Sequence, residues 1–141
     1  MILGQAQTTT FKLNLLKGLE NFYTGSPYTY KIALYVATAT INSETTAYTT
    51  DHEITGTGYV AGGNTLTPTV GSDTSNNTAY VTFANVTWSP ANFTAAGALI
   101  YNATTNASVA VLNFGGEKTA TTTFTIEFPA ATSTTAVLRI N

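Results

Sequence analysis

His52 is the only histidine of the chain, and it stands between Asp51 and Glu53 in the run Thr50-Asp51-His52-Glu53. Three potential metal-ligating or proton-transferring groups are therefore consecutive. Consecutive side chains of an extended chain point to alternate faces and do not converge on one ion, so the run reads as a solvated turn. A serine hydrolase would need that histidine beside an activated nucleophile, and no G-x-S-x-G elbow occurs. The seven acids are Glu20, Glu44, Asp51, Glu53, Asp73, Glu117 and Glu127. They are scattered over helix, strand and loop, and no pair is set across one groove as glycoside hydrolysis requires. Thr55–Gly63, TGTGYVAGG, has the glycines of a phosphate loop but neither the Gly-Lys-Ser/Thr ending nor a following helix. Cysteine is absent, which removes disulfides and thiolate metal sites. No catalytic residue, metal ligand or cofactor site is assigned, and the chain is not expected to be an enzyme.

The rest of the composition points away from chemistry and toward surfaces. Of 141 residues, 43% are hydrophobic but only 9% are charged, against about 25% charged in an ordinary soluble protein. Threonine, at about a fifth of the chain, takes the place of the missing charges. With Tyr, Phe and Val it favours strands over helices. The formal net charge is -2, and the five cations Lys12, Lys17, Lys31, Lys118 and Arg139 form no stripe, so nucleic acid is not an expected partner. No apolar run is long enough to span a bilayer, and the opening residues do not read as a signal peptide, so the chain is expected to be soluble and not exported by a cleaved signal. The sequons at Asn76, Asn85, Asn92, Asn102 and Asn106 follow from a composition dense in Asn and Thr.

Two regions are expected. Residues 1–29 form an N-terminal arm, with a Thr-rich flexible lead-in over 1–10 and then a short amphipathic helix. Phe11, Leu15, Leu16, Leu19 and Phe22 make its apolar stripe, with Thr10 as cap, Gly18 in the middle and Gly25 after the end. That stripe either lies on the chain's own sandwich or docks on a neighbour. Residues 30–141 form a single all-β domain. Tyr30–Thr40, Thr78–Trp88 with a bend at Ala84 and Asn85, Thr123–Phe128 and Ala136–Ile140 all alternate with period two, as in an antiparallel β-sandwich of jelly-roll type with about eight strands. Glu53–Pro68 and Thr69–Thr78 read as long polar loops.

The segment Gly97–Gly116, GALIYNATTNASVAVLNFGG, reads as a hairpin ended by its glycine pair. It is apolar on both faces. Either a second sheet and a loop cover it, or another chain covers one face; the second is favoured, which makes Leu99, Tyr101, Val109 and Val111 interface candidates beside the helix residues. Tyr28, Tyr30, Tyr35, Tyr48 and Tyr59 are the aromatics that could stack on a sugar ring.

Several stretches taken together resemble a set of small virion proteins of tailed bacteriophages. They are FKLNLLKGLENF, YKIALYVATATINSETTAYTT leading into EITGTGYVAGGNTL, VTFANVTWSPANFTAAGALIYN and AVLNFGGEKTATTTFTIEFP, which span Phe11 to Pro129. The resemblance implies a capsid cement or decoration protein on the outer shell. Its partners would be the major capsid protein and further copies of itself, as dimers or trimers. A neck or tail component, or a carbohydrate-binding adhesin module, are the alternatives.

Overall fold

A computed structural model describes residues 2–141. Two short strands, β1 (Ile2–Leu3) and β2 (Ala6–Gln7), precede the helix α1 (Thr9–Lys17). There follow β3 (Tyr30–Tyr35), β4 (Thr40–Ile41), β5 (Asn64–Thr65), β6 (Pro68–Asp73), β7 (Thr78–Phe83) and β8 (Val86–Trp88). The chain ends with β9 (Phe93–Asn102), β10 (Ala107–Ala120), β11 (Phe124–Ile126) and β12 (Leu138–Ile140). The fold is all-β and sandwich-like, with one short helix.

The main sheet has the order β2-β10-β9-β3-β5 with antiparallel neighbours throughout. Opposite it lie the three strands β12-β7-β6 and the pair β11-β8. The expected bend at Ala84 and Asn85 separates β7 from β8. Between the layers sits the larger core, in which Ile32, Leu34, Phe83, Trp88, Ile100 and Phe124 are buried. A second, smaller core lies on the other face of the main sheet, where Ala33, Tyr35, Leu99, Tyr101 and Val111 pack with Ala39 and Ile41.

That second core settles the two-faced hairpin. β9 and β10 are central strands, covered by the opposite layer on one side and by the segment carrying β4 on the other. Leu99, Val109 and Val111 have no exposed surface and Tyr101 is 4% exposed. The expectation that another chain buries one face is corrected: this chain buries both. The glycine pair does not end the hairpin either. Gly115 and Gly116 have positive φ (76° and 147°) and sit in a bulge. There Asn113 pairs with Gly97 but Lys118 pairs with Ala95, and β10 runs on to Ala120.

Three further readings change. The lead-in is not loose: β1 pairs in parallel with β4, and β2 forms the edge of the main sheet. Met1 lies outside the described residues. Thr69–Thr78 is not a loop, because β6 and β7 form a hairpin with Val70 opposite Val81 and Asp73 opposite Thr78. Among the described residues the strand number is twelve instead of about eight, because two-residue strands such as β1, β2, β4 and β5 are too short to show a period.

Candidate interaction surface

The helix is fixed at both ends by side-chain and backbone chemistry. Thr8, not Thr10, is the cap: its Oγ1 accepts from Phe11 N–H at 3.1 Å and donates to Val109 O at 3.3 Å. Gly18 is the terminator instead of a mid-helix defect. It adopts φ 71°, its N–H reaches Leu15 O, and Leu19 N–H reaches Asn14 O at 2.9 Å. Leu19 and Phe22 therefore lie beyond the helix, in the segment that leads to β3.

The nine interface candidates divide sharply. Phe11 and Phe22 are buried in the larger core. Phe22 stacks on Tyr30 at 4.3 Å and meets Phe11 edge-on at 5.9 Å. Leu15 packs against that core in part. Leu99, Tyr101, Val109 and Val111 belong to the chain's interior, as described above. Leu16 is 88% exposed and Leu19 44%, and Leu13, which was not singled out from the sequence, is 49% exposed. Leu13 and Leu16 are one turn apart on α1, so the helix presents leucine to solvent on one side while Phe11 and Leu15 hold the other side down. Spacing alone could not tell the two sides apart, since six of the twelve residues from Phe11 to Phe22 are apolar and form a broad stripe.

A second exposed apolar set lies beside the helix. Tyr23, Val70 and Ile140 are exposed and line a groove of about 260 Å³ between α1 and the strands β6, β7 and β12. Glu20 is the one charged residue in its lining. The Glu20 carboxylate is buried; its Oε2 accepts from Tyr30 Oη at 2.7 Å and from Asn102 Nδ2 at 3.2 Å. Burial raises its pKa, against the opposing hydrogen bonds from Tyr30 and Asn102 and a weaker pull from the nearby Asn14 amide.

A larger groove of about 750 Å³ runs between the edge of β10 and the strand β11. Its charged residues are Lys118, Glu127 and Arg139, so it holds a single acid. Among the described residues no group of three His, Cys, Asp or Glu side chains could hold a metal ion. Among the described residues no helix is long and apolar enough to cross a membrane.

The Asp51-His52-Glu53 run is a turn, with Asp51 and His52 exposed and His52 at φ 62°. Glu53 departs from the solvated reading. Its Oε2 accepts from Tyr48 Oη at 2.6 Å, and its Oε1 accepts from Tyr59 Oη at 2.6 Å and Gly62 N–H at 2.7 Å. Tyr35 Oη donates to Thr49 O, and Tyr101 Oη donates to Gly62 O while its ring stacks on Tyr48 at 4.6 Å. Of the five tyrosines considered for sugar stacking, Tyr30 and Tyr35 are buried, and Tyr48 and Tyr59 are tied to Glu53. These rings hold loops to strands and do not form an open platform.

No protein-family model matches the chain, no curated protein matches it, and no solved structure matches it.

Proposed function

We propose that the protein is a structural component of a tailed-bacteriophage virion, a capsid cement or decoration protein. In this reading it is made in the host cytoplasm, binds the outer capsid surface and stabilises contacts between major capsid protein subunits. The observation that carries the reading is the leucine face of α1. Leu13 and Leu16 stand exposed on a helix that Thr8, Phe11 and Leu15 clamp to a rigid sandwich. Exposed leucines side by side on a firmly held helix favour a surface that another protein covers.

The charge-poor exterior supports the same reading, because few hydrated charges must be stripped when such a surface docks. Repetition of one modest contact over many symmetry-related shell sites gives firm attachment through avidity. The jelly-roll form of the sandwich, self-association as a dimer or trimer, and the absence of catalysis and cofactors belong to this proposal. The two-faced hairpin no longer argues for self-association, which rests on the resemblance alone.

The test is binding to shells. Shells purified from particles that lack the protein are mixed with wild type and with Leu16→Asp, then sedimented. Wild type is expected to co-sediment to saturation, and Leu16→Asp to bind at least about tenfold more weakly, a loss of about 1.4 kcal/mol. Equal binding by the two would remove α1 as the docking face.

A further inference from the structure

Glu20 has a second oxygen that the fold does not use. Oε2 takes both donors, Tyr30 and Asn102, whereas Oε1 has no hydrogen-bond partner and no contact with solvent. The residue is 9% exposed. A carboxylate oxygen taken out of water without a donor is unfavourable, and native folds seldom leave one so. The groove that Glu20 helps to wall is otherwise apolar, formed by residues such as Leu15, Phe22, Tyr23, Val81 and Ile140. An apolar trough with one buried anion is complementary to one type of side chain: a long aliphatic stem ending in a cation.

We propose that this groove seats a single lysine side chain presented by the partner protein, its stem along Leu15, Phe22 and Ile140 and its ammonium on Glu20 Oε1. The identity of that partner as the major capsid protein rests on the function proposed above; the chemistry of the seat does not. Long basic side chains pack their methylenes on apolar surface while their heads find a polar group. Lysine fits better than arginine because only one carboxylate oxygen is free, and a guanidinium fork needs two for a paired contact. Oε1 is covered in the unbound chain, so in this proposal the carboxylate turns to meet the ammonium. The volume, about 260 Å³, suits one side chain and not a folded segment.

The seat is testable on the isolated full chain with hexylammonium chloride as the probe and 1-hexanol as its uncharged counterpart, followed by NMR titration. Hexylammonium is expected to shift the Glu20 carboxyl carbon and the methyl signals of Leu15, Val81 and Ile140 saturably, at least about tenfold more tightly than hexanol. Glu20→Gln, checked for an unchanged fold by its amide spectrum, should bring hexylammonium to the hexanol level. Ile140→Ala, a change at an exposed rim residue, should weaken both ligands together. Equal affinity for the two ligands, retention of the preference in Glu20→Gln, or shifts confined to another surface would each overturn the proposal. Because no shell is present, failure here leaves the decoration reading standing, and failure of shell binding leaves the seat standing.

Discussion

Thr8 Oγ1 and Ser108 Oγ lie 2.9 Å apart although 100 residues separate them, and neither residue has any exposed surface. Ser108 also donates to Thr45 O at 2.6 Å, and Thr8 serves the first turn of α1. One buried hydroxyl pair thus joins the helix start, the β10 strand and the segment after β4. The helix α1 is held to the sandwich by this joint and by Phe11.

Removing the joint should detach the helix energetically without changing its outer face. Thr8→Val keeps the volume but loses the cap, leaves Phe11 N–H without its acceptor and breaks the contact with Ser108, whose hydroxyl keeps Thr45 O. The expected loss is about 2–3 kcal/mol, read from denaturant unfolding, with Thr8→Ser recovering most of it. Phe11→Ala should cost about 3–5 kcal/mol as a core truncation. Leu16→Asp should stay within about 0.5 kcal/mol of wild type, since the side chain touches little.

Two carboxyls should give opposite pH dependences. The buried Glu20 has a raised pKa, so the folded state holds its proton more tightly than the unfolded chain. Its contribution is fully present below the ordinary value of 4.5 and is lost as pH rises through the raised value. Asp73 is the reverse. The Ser133 hydroxyl and the Asn76 amide favour its anion and lower its pKa, so its contribution is present above 3.8 and is lost as pH falls through the lowered value. Glu20→Gln should flatten the first slope of a stability–pH profile and leave the second in place.

Tyr30, Tyr35, Tyr48, Tyr59 and Tyr101 should resist alkali. Burial, followed by hydrogen bonding to Glu53, pushes Tyr48 and Tyr59 upward; burial, followed by the field of Glu53, raises Tyr35 and takes Tyr101 to about 12. Tyr30 is raised by burial and by its bond to Glu20. All five favour the neutral phenol, so the stability they confer is complete below the ordinary value of 10 and is lost as pH rises through the raised values. In a spectrophotometric titration they should stay silent until alkaline unfolding. Glu53→Gln should let Tyr48 and Tyr59 ionise at lower pH.

Gly63 is a position where backbone geometry decides. Its φ is 74°, and an added Cβ would stand 1.7 Å from Ile32 O, where β5 meets β3. Gly63→Ala should destabilise by about 3 kcal/mol or more through strain and displaced pairing. Gly18→Ala, also at positive φ but with nothing within 4 Å, should cost about 1 kcal/mol. Thermal unfolding of the two variants gives the comparison.

The alternation in Tyr30–Tyr35, the bend at Ala84 and Asn85, and the turn around Asn102–Ala107 were legible because period-two patterning and turn residues act locally. Which faces those strands bury was not legible. Leu99 and Val111 look like surplus apolar surface until the segment with Ala39 and Ile41 is folded over them, and that contact is long-range. The same limit applies to the candidate surface. Leu16 and Leu15 are equal in type, and only the position of the sandwich beneath α1 leaves the first exposed and packs the second. Glu20 and Glu53 carried no sign of their partners, because Tyr30, Asn102, Tyr48 and Tyr59 reach them through the fold.

The central claim is that the molecule works by covering and bracing a shell, and its copy number on purified virions tests that most directly. Quantitative mass spectrometry against the major capsid protein should find hundreds of copies per particle, in a fixed ratio set by the lattice symmetry. Absence from purified particles, or a number fitting only a single ring at the neck or tail, would contradict the account.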